Sequence, residues 1–371
     1  MPYPDELKYW TEEVSSQFTG LNRAQAEVLA LYSYGMAVTQ RCGQTIISTF
    51  LGLLLGMRIA NLGQRLREWT YEAEQKRKRQ RREIEVESLF APWLKWVVSY
   101  WKHPKQLVLA MDVTYLRDRH TILAISVVYR GCAIPVAWRI LPGEQKGEWH
   151  PIWVQLLNCL SQMATFPPQV WVLTDQGLYS KRLFHVIQGH GWHPCMRVRT
   201  QGLYRPLRTN KWRSLEGAAY RGMPSKALRV ACFKGDPLLC TLWMHWPAAY
   251  DKPCLLVTDL PPKRLRGNPY ALRTWVESGF KDLKRGGFRW EHSKITQPER
   301  LERLLFIIAL ALFWHVRQGS ALQDELLADH DCPPLSCSTL GWLATLVATI
   351  RQSPLPFAFF SAYSFPFPLQ E

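Results

Sequence analysis

Hydrophobic spacing changes character along this chain. From about residue 20 to 100, apolar positions recur at three- and four-residue intervals, which predicts helices. "LNRAQAEVLALYSYG" is amphipathic and stops on a glycine, and "QTIISTFLGLLLGM" is more uniformly apolar. The next stretch, "RLREWTYEAEQKRKRQRREIEVESLFAPWLKWVVSYW", reads as further helix with a charge run from Lys76 to Arg82. A charge run by itself is a solvated helix face or a linker. At Leu107 the spacing gives way to short apolar runs rich in β-branched residues. "QLVLAMDVTYL" reads as a strand buried on both faces, and "HTILAISVVYRGCAIPVAWRIL" as two strands joined by a turn at "RG". A helix over "KGEWHPIWVQLLNCLSQM", a strand over "PPQVWVLTDQG", a helix over "SKRLFHVIQGHG" and a strand over "WHPCMRVRT" complete a mixed α/β pattern.

Between about 200 and 260 the pieces shorten. "LYRPLRTNKWRSLEGAAYRGM", "KALRVACF", "LLCTLWMHWP" and "PCLLVTDLP" predict a β-rich insertion whose last strand returns to the main sheet. "NPYALRTWVESGFKDLKRGGFRW" then restores helical spacing through Leu272, Trp275, Val276, Phe280 and Leu283. A strongly apolar helix follows, "PERLERLLFIIALALFWHVRQG", and the Pro/Phe-rich end, "SPLPFAFFSAYSFPFPLQE", reads as extended chain packed on the body.

Composition adds a partner to this outline. The chain has 371 residues and is 47% hydrophobic, enough for a sizeable core. Its formal net charge of +16 points to a polyanion, with nucleic acid ahead of an anionic membrane. It shades the Lys76–Arg82 run towards a phosphate-binding face. The longest apolar runs, Ile46–Met57 and Leu304–Trp314, are shorter than the roughly 20 residues a bilayer span needs. "MPYPDELKYW" lacks the features of a signal peptide. Nine scattered cysteines, never spaced Cys-x-x-Cys, suit a reducing cytoplasm.

The candidate chemistry lies in three acids. Asp112 follows "LVLAM" and Asp175 follows "VWVLT", each beside a buried apolar run where a carboxylate is costly without a partner. Glu277 sits on the later helix among Arg273, Lys281, Lys284 and Arg285. Taken singly, the first two read as turn or helix caps and Glu277 as a solvated helix acid. Taken together, they suggest a carboxylate cluster for hard divalent cations. A pair of such ions can serve an in-line displacement at phosphorus, and the nearby cations would hold phosphates.

Tyr270, Arg273, Glu277 and Lys284 reproduce the Y-R-E-K signature, with intervals of two, three and six residues, of DDE transposases of the insertion sequence 4 superfamily. "LAMDVTYL" and "VLTDQG" resemble that family's first two acid strands, "LLVTDLP" its re-entering strand, and "RLERLLFIIALALFWHV" its following helix. The resemblance covers roughly residues 105 to 318. It implies a ribonuclease-H-like mixed α/β core at 105–200 and 255–320, with a β-rich insertion at 201–254. A helical N-terminal DNA-binding region at 1–104 and a C-terminal region at 321–371 complete the expected organisation. The triad would be Asp112, Asp175 and Glu277, holding Mg²⁺ or Mn²⁺, as two ions. Tyr270, Arg273 and Lys284 would contact DNA, with Lys281 and Arg197 as further candidates. Trp246, Trp243 and Trp212 are candidates for stacking on an extruded base, against the ordinary alternative of core tryptophans.

The expected activity is therefore DNA transposition: binding of double-stranded transposon ends, metal-dependent cleavage and strand transfer to target DNA. A homodimer would synapse two ends, in a prokaryotic cytoplasm at the nucleoid, with no membrane involved. A ribonuclease-H-like nuclease without strand transfer and a domesticated DNA-binding protein are the alternatives.

Overall fold

A computed structural model describes residues 4–77, 82–101, 104–143, 145, 147, 149–265, 271–281, 283–284, 287–326, 335–351, 353 and 360. Five helices come first: α1 (Asp5–Gln17), α2 (Arg23–Thr39), α3 (Gln44–Leu55), α4 (Ile59–Thr70) and α5 (Glu87–Ser99). Asn22 starts α2 with a reciprocal cap, its side chain accepting from Gln25 N while the Gln25 side chain accepts from Asn22 N. The charge run from Lys76 to Arg82, where helix was expected, lies largely outside the described residues. After α4 the chain makes a short 3₁₀ turn at Ala73–Gln75 and reaches α5 without another helix among the described residues. Between Ala73 and Ile84 there is no apolar residue to give a helix a face to bury. The buried Arg303 instead ties this segment down by donating to Thr70 O (3.0 Å), Ile84 O (3.1 Å) and Glu83 Oε2 (3.1 Å). Lys78 to Arg81 lie outside the described residues.

Ten strands then build one sheet. They are β1 (Gln106–Leu116), β2 (His120–Tyr129), β3 (Cys132–Pro142), β4 (Gln169–Thr174), β5 (His193–Arg197), β6 (Leu203–Pro206), β7 (Arg213–Ser214), β8 (Met223–Cys232), β9 (Leu238–Trp246) and β10 (Cys254–Thr258). Helix α6 (His150–Ser161) precedes β4, and α7 (Lys181–Gly189) joins β4 to β5. The sheet order is β3-β2-β1-β4-β5-β10-β9-β8-β6-β7. Neighbours β1/β4 and β4/β5 are parallel and the other pairs antiparallel. The first five positions are the ribonuclease-H-like arrangement, a three-strand meander followed by two parallel strands. All ten residues of β2 are buried, which is why its sequence is apolar without alternation. The turn foreseen at "RG" is a tight hairpin whose two central residues, Arg130 (φ 41°) and Gly131 (φ 82°), both take positive φ. The β-rich insertion does not stand apart: β10 pairs with β5, and β9, β8, β6 and β7 extend the same sheet beyond it.

The last helices are α8 (Arg273–Lys281), α9 (Pro298–Leu326) and α10 (Cys337–Arg351). Helix α9 is longer than its apolar run suggested. By length and composition it is able to cross a membrane, but 94% of its most apolar window is buried by the rest of the chain. It is the axis of the core. Trp314 packs edge-on to Trp10 at 5.1 Å and Phe306 to Phe18 at 5.3 Å, so the N-terminal helices and the sheet share one interior. Helices α9 and α10 touch where Gly319 faces Gly341; a Cβ on either would fall 1.7 Å from a backbone carbonyl oxygen. Of the C-terminal stretch, Phe360 is described. It is buried, stacks on Tyr129 at 4.5 Å and donates its N–H to Tyr100 O at 2.8 Å, as an extended segment packed on the body would.

Glu302 of α9 meets β3. It accepts from Ile140 N at 2.7 Å, and Arg139 lies 3.7 Å from its other oxygen. Burial pushes its carboxyl up to about 7 from 4.5, more than those contacts pull it down. The charged form is thus disfavoured in the folded chain. The stability this raised value brings is complete below about 4.5 and is lost as pH rises through about 7. Glu302→Gln keeps the acceptor for Ile140. It is expected to match wild type near pH 4 and to exceed it by up to about 3 kcal/mol above pH 7. Thermal melts across this range check it, and equal melting temperatures at pH 8 would refute it.

Candidate active site

Strand register brings the first two acids together. In the parallel pair β1/β4, Met111 lies opposite Thr174, so Asp112 and Asp175 are the next residues on adjacent strands. Asp112 lies inside β1, which spans the whole run "QLVLAMDVTYL". β1 continues to Leu116 alongside β2, while β4 stops at Thr174. Asp175 opens a 3₁₀ turn at Gln176–Leu178, but its side chain makes no capping hydrogen bond there. That disposes of the cap as the reason for this carboxylate.

The third acid arrives on α8, which packs on β1, β2 and β3. Close approach is allowed by Gly279: a Cβ there would lie 2.9 Å from Ala133 Cβ and 3.1 Å from Ala133 N on β3. Val276 and Phe280 bury the same side of the helix, leaving Glu277 at its exposed rim.

One guanidinium joins the three acids. Arg273 Nη2 is 2.9 Å from Asp112 Oδ1 and 3.6 Å from Asp175 Oδ2, and Nη1 is 3.3 Å from Glu277 Oε1. The acids differ in exposure, with side chains 12%, 41% and 72% accessible in that order, while that of Arg273 is 9% accessible. Burial pushes the Asp112 carboxyl above its ordinary range. Arg273 and the Val113 amide oppose this, and the charges of Asp175 and Glu277 reinforce it. The sequence placed Arg273 against DNA; in the folded chain it points inward at the carboxylates.

The other candidates divide by position. Lys284 follows α8 in a wider turn and its Nζ donates to Thr114 Oγ1 at 2.5 Å, two residues beyond Asp112. Thr114 was not singled out from sequence; its two-residue spacing from Asp112 on one strand was the available signal. Lys281 is exposed, and Arg197 is half-buried at the end of β5. Arg197 and Asp175 both act on the Cys254 thiol, which places them around the start of β10. Tyr270 and Arg285 lie outside the described residues.

Trp243 is fully buried within β9, so it is a core residue and not a stacking surface. The run Cys240–Met244 is buried throughout, and alternation gave no means of telling its faces apart. Trp246 is half-buried and donates to Tyr250 O at 2.9 Å; half-buried Trp212 has the Arg205 guanidinium 5.6 Å from its ring centre. Antiparallel pairing through β10 brings the Trp246 end of β9 to the sheet edge that carries the acids. Tyr220 and Tyr250, 68% and 63% exposed, adjoin it and were not anticipated.

Among the described residues, no three His, Cys, Asp or Glu side chains stand close enough together to hold a metal. Arg273 is within 3.6 Å of all three carboxylates. The donor chemistry nonetheless fits a hard divalent cation, because three carboxylates share one positive centre and no thiolate or imidazole is involved.

A search of curated proteins finds no match. Among solved structures, the cryo-EM structure of a piggyBac transposase synaptic complex with hairpin DNA aligns with a TM-score of 0.38 and 14% identity, over 94% of this chain and 79% of that one. The family model for the transposase DDE domain matches residues 150–314, a stretch containing Asp175, Arg273 and Glu277, and this match supports a transposase.

Proposed function

We propose that the chain is a DNA transposase that binds the ends of its own element, cleaves them and joins the freed 3′-hydroxyl to target DNA. The observation that carries this is the convergence of Asp112, Asp175 and Glu277 on one cation position at the edge of a ribonuclease-H-like sheet. The match to the transposase DDE domain family supports the same reading. Asp112, Asp175 and Glu277 would hold Mg²⁺ or Mn²⁺, which when bound supplies Lewis-acid stabilisation at the reacting phosphodiester.

The chain's own cations position the strand. Arg197 ends β5 at the sheet edge that carries the acids, and Lys284 bonds Thr114 two residues beyond Asp112; both would hold phosphates flanking the scissile one. Tyr270 belongs to the same expected set. Trp246, with Tyr220 and Tyr250 beside it, offers an aromatic surface for an unstacked base, and Trp212 a more distant one. Two copies of the chain, one per end, would form the synaptic assembly.

The test is a duplex carrying the inverted repeats that flank the gene, incubated with purified protein, Mg²⁺ and a supercoiled plasmid. Cleavage at the repeat end followed by joining to the plasmid is the expected result. Cleavage without joining would leave a ribonuclease-H-like nuclease, binding without cleavage a DNA-binding protein, and cleavage persisting in excess EDTA would exclude a metal-dependent site.

A further inference from the structure

Arg273 occupies an unusual place for a cation on a DNA-binding protein. It is 7% exposed, contacts Asp112, Asp175 and Glu277 together, and its Nε–H is buried without a hydrogen-bond partner among the described residues. A guanidinium does not lose its charge at any pH the protein meets. A divalent cation drawn to the same carboxylate oxygens would stand within a few ångströms of it, and the two positive centres would repel.

We propose that Arg273 is an internal counter-ion that competes with the divalent cation for these three carboxylates, and that a DNA phosphate draws it out. The proposal rests on the reading of the triad as a metal site. Without DNA, the guanidinium lets three acids remain ionised side by side in the folded chain. The geometry also limits where it can go. Arg273 is the first residue of α8, so its side chain reaches the sheet edge by rotating about its own bonds while the helix and Glu277 stay in place. At that edge the flanking cations Arg197, Lys281 and Lys284 create a field that gathers phosphates. A phosphate accepts two parallel N–H bonds from a guanidinium, so the arginine loses carboxylate partners and gains an anion of matched shape. Cation loading and DNA binding are thereby coupled, and each strengthens the other by the same factor. An empty protein would resist loading, and the cleaving site would be assembled on DNA.

The experiment is Mn²⁺ binding to the full chain, read by electron paramagnetic resonance of the free ion, with and without a duplex of about 30 base pairs. Wild type is expected to bind Mn²⁺ weakly alone and about tenfold more tightly with DNA. Arg273→Gln is expected to bind it about tenfold more tightly than wild type without DNA, and to gain little more from DNA. Arg273→Lys, whose single ammonium cannot reach three carboxylates at once, should fall between them and carries the test if the glutamine variant does not fold. Equal Mn²⁺ affinity in wild type and the arginine variants would overturn the counter-ion role while leaving the metal site standing. No Mn²⁺ binding by any protein, with or without DNA, would overturn both.

Discussion

Asp112→Asn, Asp175→Asn and Glu277→Gln are each expected to lower DNA cleavage by about three orders of magnitude or more, with end binding within a few-fold of wild type. Each amide keeps the size of the acid and an oxygen for Arg273 to donate to, so the packing around the guanidinium survives. What disappears is a negative charge at a position where three are gathered. Binding depends mainly on phosphate contacts from cations elsewhere on the sheet edge, and removing a negative charge does not weaken those. Cleavage of labelled end duplexes, set beside fluorescence anisotropy of the same duplexes, separates the two effects. Glu277 meets the harshest test, because its side chain is 72% exposed and it pairs with Arg273 one turn back on the same helix. If Glu277→Gln cleaves within about tenfold of wild type, the third acid is elsewhere.

Much of this site was legible because strands buried on both faces leave an unmistakable apolar run. A carboxylate beside such a run has few reasons to be there. Asp112 and Asp175 stood out on that ground, and the register of β1 against β4 explains why they belong together. The spacing of Arg273 and Glu277 correctly placed them on one helical face, where they touch at 3.3 Å. Spacing cannot say what a face meets. The family resemblance gave Arg273 a DNA contact, and the fold in the absence of DNA turns it towards carboxylates from distant strands. The backbone on either side of the Lys76–Arg82 run is held by Arg303, far along the chain, a contact that no local spacing announces. Trp246 was favoured for its place before the signature, but only the extension of the sheet beyond β5 showed that Trp243 is covered.

Gly279→Ala should damage the site from outside it. Alanine is the better helix former by about 1 kcal/mol, so at an open position on α8 the change would stabilise the protein. Here the added Cβ would sit 2.9 Å from Ala133 Cβ, 3.1 Å from Ala133 N and 3.2 Å from Ala133 O. Two of those three atoms are backbone of β3, fixed by its pairing with β2 through Val128. The strand cannot yield, so the helix must move outwards, carrying Arg273 and Glu277 with it. A net loss of about 1–3 kcal/mol is expected from overpacking. Cleavage should fall by about 10²-fold, since displacement of a positioned group by an ångström costs that much. DNA affinity should change little, because Arg197 belongs to β5 and Lys284, though it follows α8, is tied to Thr114 on β1. Gly189→Ala on α7, where an added Cβ meets nothing within 4 Å, is the matched control and should be neutral or stabilising. Thermal melts and single-turnover cleavage of both variants decide the matter. A Gly279→Ala protein that melts higher than wild type and cleaves normally would mean that α8 does not rest on β3 at this glycine, and the placement of Glu277 against the two strand acids would have to be abandoned.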